Sequence, residues 1–134
     1  MIPRRVSHDI YDIQDKPKEE VITWDVPPMS EYETLKDEYE GLKWRLIPKP
    51  GGAVMRPAAW YELWAATQQA AKGDQTSDKP MWAEHGGLDF DGRERWEAWA
   101  KLKGLDPPDA KKKFLAAYGK AMSADRKKMN FREY

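Results

Sequence analysis

The sequence predicts an all-α fold, a four-helix bundle that carries an extended N-terminal arm and a basic C-terminal tail. A chain of 134 residues is long enough for one domain with one core. Between residues 30 and 122, apolar side chains recur at intervals of three and four, which is the period of an α-helix. Most of the seven Trp, six Tyr and three Phe lie in these segments, so we expect a compact aromatic core although 34% of the residues are charged.

The arm comprises residues 1–29, which contain four prolines and charges without a helical period. Its short apolar stretch, residues 21–24, ends at Trp24, and this indole is the candidate anchor of the arm. An arm of this composition is held in place only where it lies on another surface. The helical domain follows as residues 30–122, and residues 123–134 form a basic tail or a short additional helix.

Two predicted helices open the domain. The first begins after Ser30 and ends before Pro48, and its buried stripe consists of Tyr32, Leu35, Tyr39, Leu42 and Leu46. A loop follows, and Pro57 suits the first turn of the second helix. The second helix ends at Gly73, and its aromatic face consists of Trp60, Leu63, Trp64, Thr67 and Ala71.

Two further helices follow a polar loop that runs from Asp74 to about Asp91. The third helix ends at Gly104 and carries on one side Trp96, Trp99, Ala100 and Lys103. The spacing of the two tryptophans favours core packing over ligand contact. Asp106 and Pro107 mark the start of the fourth helix, because Asp caps helices and Pro suits the first turn. Its core side consists of Ala110, Phe114, Leu115, Tyr118 and Met122.

Two segments of the chain carry a family signature. Residues 87–114 contain a Leu-Asp-Phe turn, then Arg-Trp-x-x-Trp-x-x-Leu-Lys-Gly, and then an Asp-Ala helix start. Residues 60–74, WYELWAATQQAAKGD, end in a Gly-Asp pair. In these features the chain resembles the acyl-CoA-binding protein family. The resemblance implies a bowl of four antiparallel helices that holds a long-chain acyl-CoA, with basic and tyrosine side chains on the nucleotide and an apolar groove for the acyl chain.

The resemblance assigns four candidate ligand-binding residues, which are Trp64, Gln68, Arg95 and Phe114. Arg95 keeps the positive charge of the family's lysine and can bind phosphate with two donors. Elsewhere the chain departs from the family pattern, because the lysine of the second helix is replaced by Gln68 and the tyrosine of the fourth helix by Phe114. The second tyrosine of the second helix is replaced by Thr67. The missing lysine is expected to cost about 1.5–3 kcal/mol of binding free energy.

Two of these residues also have a purely structural interpretation. Trp64 suits core packing as well as it suits ligand stacking. Arg95 could be solvated or paired with Glu94 or Asp91, as arginines at a domain rim often are. Its assignment to a ligand therefore depends on the family resemblance.

The segment 81–85, MWAEH, is an insertion relative to the family pattern. It lies in the loop between the second and third helices, which borders the family's pocket. Its Trp82 and His85 could cover this pocket or fill it.

Several function classes lack their characteristic residues. Without cysteine there is no disulfide or cysteine-bound zinc, and an intracellular location is favoured. His8 and His85 are isolated, so no metal site is predicted. No nucleophile with an oriented base and no pair of facing carboxylates is recognisable, so we predict a non-enzyme without a cofactor. Neither a membrane span nor a nucleic-acid-binding motif is present in the sequence.

Two functional hypotheses follow. The favoured one is a non-catalytic accessory subunit of a larger assembly, mitochondrial rather than cytosolic, in which acyl-CoA binding is reduced or lost. It rests on the altered pocket and the added ends, and it assigns contacts with protein partners to Trp24, Arg126, Lys127, Lys128 and Phe131. The alternative is a soluble intracellular carrier of long-chain acyl-CoA, which is the possible ligand under either hypothesis.

Overall fold

Residues 24–84 and 86–132 are described by a computed structural model. Five α-helices occur in these ranges: α1 (Tyr32–Glu38), α2 (Ala58–Lys72), α3 (Phe90–Ala100), α4 (Pro107–Met122) and α5 (Ala124–Asn130). A short antiparallel pair of strands, β1 (Ile47–Pro48) and β2 (Val54–Met55), places Ile47 opposite Met55. The predicted all-α class is confirmed.

The first helix is shorter than predicted. α1 ends at Glu38 and continues only as a 3-10 turn from Tyr39 to Gly41. The indole Nε1–H of Trp44 donates to the carbonyl oxygen of Tyr39 over 2.6 Å and so takes up a carbonyl at the helix end. The chain then leaves the helical path, and Leu46, predicted on the buried stripe, is 51% exposed. Burial of Trp44 therefore outweighs continuation of the helical period.

The core lies between α2 and α4, which are the two longest helices. From α2 it takes Trp60, Tyr61, Leu63, Ala65 and Ala66, and from α4 it takes Ala110, Phe114, Leu115, Ala117 and Ala121. α2 begins one residue later than predicted, because Pro57 occupies the N-cap position. Gly73 ends the helix with a φ of +82°, a value that glycine adopts without a side-chain clash.

α3 forms a half-buried layer beside this core, since none of its residues is fully buried. The Asp89 carboxylate caps the helix by accepting the Gly92 N–H over 2.9 Å. The Trp99 indole packs against the core and donates to the side chain of buried Gln69 and to the carbonyl of Gly73. The Trp96 indole instead donates to the carbonyl of Ser77 and holds the preceding loop. The core prediction is therefore right for Trp99 and wrong for Trp96.

The C-terminal segment returns to the start of the domain. After α5, the ring of Phe131 packs on that of Trp44 with a centroid distance of 4.6 Å. Backbone hydrogen bonds connect Arg45 to Asn130 and Arg132 to Lys43. Of the two predicted forms of this segment, the structure thus shows the additional helix. No helix in the described ranges is both long enough and apolar enough to cross a membrane.

Candidate functional site

Two parallel indoles on α2 form the base of the candidate site. Trp60 and Trp64 lie one helical turn apart, which places them on the same face. Their ring centroids are 6.5 Å apart and their planes differ by 12°. Trp60 is only 2% exposed, whereas Trp64 is half-buried and contacts the Trp99 ring edge-on. Trp64 is therefore the indole that remains accessible to a ligand.

The guanidinium group of Arg95, on α3, lies over both indoles. Its Cζ atom is 4.7 Å from the Trp60 ring centroid and 5.3 Å from that of Trp64, within the range of cation–π attraction. Its Nε–H donates to the Asp91 carboxylate over 2.8 Å. The predicted alternative of pairing with Asp91 is thus present together with the aromatic contact. The Arg95 side chain remains 33% exposed.

Tyr61 connects this ion pair to the start of α2. Its hydroxyl donates to the Asp91 carboxylate over 2.7 Å and accepts the backbone N–H of Arg56 over 3.1 Å. Burial raises the pKa of the Tyr61 phenol, and the neighbouring Asp91 carboxylate acts in the same direction. Tyr61 therefore stays protonated at neutral pH and keeps donating to Asp91, which in turn orients Arg95.

A second guanidinium group lies at the same indole. The Cζ atom of Arg56 is 4.5 Å from the Trp60 ring centroid. Arg56 precedes α2 and belongs to no periodic pattern that would single it out in the sequence. Its spacing of four residues from Trp60 is the one sequence signal that pointed to this contact. We call Arg56, Trp60, Trp64 and Arg95 the arginine–indole site.

The other two predicted ligand residues, Gln68 and Phe114, are not part of the arginine–indole site. Gln68 is half-buried one turn further along α2. Phe114 is 0% exposed, and Tyr32 and Tyr39 contact its ring edge-on at centroid distances of 5.3 Å and 5.7 Å. Since no part of the Phe114 ring reaches the surface, direct contact with a ligand is closed to it in this structure. Its role here is to pack the core under the site.

A phenol from the first helical segment lies near the position where the family has its second α2 tyrosine. Buried Thr67 occupies that position and donates to the carbonyl oxygen of Trp64 over 2.7 Å. The Thr67 side chain lies close enough to the Tyr39 hydroxyl to lower the pKa of this phenol, but by less than burial raises it. Burial raises the pKa of Tyr39 and keeps this phenol protonated, with the Glu40 carboxylate adding to the effect. The helical period of the sequence predicts Tyr39 in the core but gives no sign of its proximity to Thr67.

The inserted loop does not fill the candidate site with its tryptophan. Trp82 pairs with Leu88 in an isolated β-bridge, and the Asp89 N–H donates to the carbonyl of Met81. These bonds close the loop on itself and leave Trp82 68% exposed. Of the two predicted arrangements, filling is therefore wrong for Trp82. His85 lies outside the described residues.

The residues predicted to bind protein partners make contacts within the chain. The Trp24 indole donates to the Ala116 carbonyl over 2.9 Å, and the Arg126 guanidinium lies 5.6 Å from its ring centroid. Phe131 packs on Trp44. Lys127 and Lys128 are exposed on α5, where the Lys128 carbonyl accepts from Arg45. The anchor role of Trp24 is thus visible, and contact with a partner stays a prediction.

A separate cavity of about 380 Å³ lies between α2, α3 and α4. Its walls are small apolar side chains such as Ala65, Ala98 and Ala117, and its rim carries charges such as Glu94 and Lys101. None of the four predicted ligand residues lines it. Across residues 24–84 and 86–132, no group of three His, Asp or Glu side chains is placed to hold a metal ion.

Comparison with known proteins identifies the family of this chain. Residues 37–118 match the model of the family described as acyl CoA binding protein. Over 55 residues the chain is 40% identical to acyl-CoA-binding protein homolog 1 of Caenorhabditis elegans and 40% identical to the acyl-CoA-binding protein of Saccharomyces cerevisiae. Each match covers 41% of this chain and 58% of the relative, so the chain spans less than two thirds of the relatives' length. Because the family model covers more than half of the sequence, the chain belongs to the acyl-CoA-binding protein family.

Proposed function

We propose that this chain binds acyl-CoA and holds the phosphorylated nucleotide of that ligand between Arg95 and Trp64. The observation that supports the proposal is the Arg95 guanidinium, which lies over two parallel indoles and is oriented by Asp91. Family membership supplies the class of ligand. The same proposal makes the protein a binding protein without catalytic activity.

The chemistry of Arg95 suits a phosphate. Asp91 takes the Nε–H of the guanidinium, so the terminal Nη groups are available as a two-donor fork for phosphate oxygens. One third of the side chain is exposed, which leaves room for a ligand to approach. The half-buried Trp64 ring beside it offers an aromatic surface for adenine.

The altered α2 residues support a lower affinity for acyl-CoA than the family pattern implies. Gln68 stands where the family has a lysine, and a neutral amide can donate to phosphate but lacks the positive charge of the lysine. A loss of about 1.5–3 kcal/mol corresponds to roughly a ten- to hundredfold lower affinity. Gln68→Lys is therefore expected to increase the affinity for acyl-CoA.

Calorimetry with palmitoyl-CoA tests the proposal. We expect a binding isotherm with palmitoyl-CoA and none with palmitate alone at the same concentration. Arg95→Gln should weaken binding by roughly tenfold or more. Lys101→Gln removes an equal charge from the adjoining turn after α3 and serves as the matched control, with affinity close to that of the unaltered chain. Absence of heat and of any change in tryptophan fluorescence with palmitoyl-CoA would overturn the proposal.

The accessory-subunit hypothesis is a second candidate function, and the inserted loop favours it. Trp82 is 68% exposed on a turn that is closed by its own hydrogen bonds, and exposed tryptophans of this kind are frequent at protein interfaces. If the protein is a subunit of a larger particle, it should co-migrate with that particle on native gels, and Trp82→Ala should release it. Recovery as a free monomer from gently lysed cells would refute this candidate. The mitochondrial location stays a prediction that cell fractionation tests.

A further inference from the structure

Arg56 provides the arginine–indole site with a second positive charge that the family resemblance does not assign. The two guanidinium carbons, those of Arg56 and Arg95, both lie within 5 Å of the Trp60 ring centroid. They are therefore less than 10 Å apart. Both arginines therefore lie at one indole, within the span of a single nucleotide that carries several phosphate groups.

The charges at this site do not balance within the described chain. Asp91 is the carboxylate that pairs with Arg95. In residues 24–84 and 86–132, no carboxylate oxygen lies within 4 Å of the Arg56 guanidinium nitrogens. Two arginines thus face one carboxylate, and the local excess of positive charge suits an anion. Arg56 is also only partly exposed, so its attraction to an anion is screened less than that of a fully solvated arginine.

One hydrogen-bonded chain positions both arginines. The Arg56 backbone N–H donates to the Tyr61 hydroxyl, Tyr61 donates to Asp91, and Asp91 accepts from Arg95. The backbone of Arg56 is therefore fixed to the same carboxylate that orients Arg95. A side chain whose backbone is held in place loses less conformational entropy when it binds a ligand.

We propose that Arg56 is a phosphate-binding residue for the nucleotide of acyl-CoA. It supplies the second cation that Gln68 does not provide, from a position two residues before α2 instead of from the middle of that helix. This inference rests on the proposed function. It adds a specific claim, that affinity depends on the charge at position 56.

The test is a charge series at this position, measured by calorimetry with palmitoyl-CoA. We expect the affinity to fall in the order Arg, Lys, Met, Glu, with Arg56→Met roughly tenfold or more below the unaltered chain. Arg56→Met keeps an apolar stem against Trp60, and thermal unfolding of each variant checks that the fold persists. Arg45→Met removes the charge of an exposed arginine elsewhere and should change the affinity by less than about twofold.

A second ligand identifies the phosphate. Palmitoyl-dephospho-CoA lacks the ribose 3′-phosphate but keeps the pyrophosphate. If the effect of Arg56→Met disappears with this ligand, Arg56 binds the 3′-phosphate, and if the effect persists, Arg56 binds the pyrophosphate.

The inference is overturned, with the proposed function intact, if Arg95→Gln weakens binding while the affinities of the position-56 variants stay within about twofold of the unaltered chain or do not follow the order of charge. If the unaltered chain does not bind palmitoyl-CoA at all, the proposed function fails and the inference fails with it.

Discussion

Two regions of this molecule place two cations on an indole ring, and they differ in what the surrounding residues contact. In the arginine–indole site, Arg56 and Arg95 lie on Trp60. In a second region, which we call the Trp24 clasp, Lys120 and Arg126 lie 5.9 Å and 5.6 Å from the Trp24 ring centroid. The clasp consists of these three residues with Asp25 and Gly119.

The clasp is built from contacts inside the chain. The Trp24 indole donates to the Ala116 carbonyl on α4. Gly119 allows the backbone of the arm to approach, since a Cβ atom there would collide with the carbonyl oxygen of Asp25. In the arginine–indole site, by contrast, a carboxylate fixes Arg95 from one side and its side chain is one third exposed. Similar cation–π pairs thus accompany the packing of the arm on α4 in the clasp. At the arginine–indole site they leave one third of the Arg95 side chain exposed to a ligand.

The largest expected effect comes from removing the indole that carries both arginines. Trp60→Ala should lower the free energy of unfolding by about 3–5 kcal/mol, because Trp60 is buried in the core. It should also abolish detectable binding of palmitoyl-CoA, because both guanidinium groups lose their support. Denaturant titration and calorimetry measure the two effects.

The matched variant is Trp24→Ala in the clasp. Trp24 is only partly buried, so its removal should cost less, about 1–3 kcal/mol of unfolding free energy. It should leave the affinity for palmitoyl-CoA unchanged. A loss of affinity in Trp24→Ala equal to that in Trp60→Ala would erase the functional distinction between the two regions.

The next effect is a steric one at Gly119. Alanine in a helix interior normally stabilises by about 1 kcal/mol relative to glycine. At position 119, however, the added Cβ meets the Asp25 backbone, so we expect Gly119→Ala to destabilise by about 1–3 kcal/mol in denaturant titration. Gly41→Ala is the control, since a Cβ there has no neighbour within 4 Å. Equal unfolding free energies for both variants would show that the arm does not press on α4.

A smaller effect tests the chain of hydrogen bonds behind the arginines. Tyr61→Phe keeps the buried ring and removes the hydroxyl that joins Arg56 to Asp91. We expect a loss of about 0.5–1.5 kcal/mol of stability and a several-fold weaker affinity for palmitoyl-CoA. Thr67→Val removes a hydroxyl from the same helix that does not contact Asp91, and it should affect binding less. An unchanged affinity in Tyr61→Phe would mean that the network does not position the arginines.

The parts of the fold that sequence could predict are those set by local patterns. α2 and α4 follow their apolar spacing, and their ends follow Pro57, Gly73 and Pro107. The first helix was predicted too long because its end depends on Trp44, whose packing partner Phe131 is distant in sequence. A period of three and four residues carries no information about such a contact.

The residues of the candidate site show the same difference between local sequence patterns and tertiary contacts. Arg95 and Trp64 were predictable because they fall within a family motif. Arg56 and Tyr61 were not, since their importance arises from hydrogen bonds and ring contacts between α2 and α3. Phe114 matched a family position but lies too deep for the ligand contact that the position implied. Tertiary packing, which a single sequence shows poorly, decides each of these cases.

The smallest expected effect concerns Asp74, whose carboxylate lies near the end of α2 and belongs to neither cation–indole region. Hydrogen bonds from the Gly104 N–H and then from the Gln69 amide hold the pKa of Asp74 below its ordinary value of 3.8. A carboxyl with a lowered pKa in the folded state stabilises the fold above its unfolded pKa, and this contribution is lost as the pH falls through the folded pKa. The unaltered chain should therefore be more stable than Asp74→Asn near neutral pH, and the difference should shrink below about pH 3.8. Denaturant titrations across this range measure this difference in stability, with Asp78→Asn correcting for the general effect of removing a surface carboxylate.

Palmitoyl-CoA binding at neutral pH should be the same in Asp74→Asn as in the unaltered chain. The hydrogen bonds of Asp74 connect α2 to the turn before α4 and do not involve Arg56 or Arg95. A pH-independent difference in stability would show that the Asp74 contacts act through geometry instead of charge.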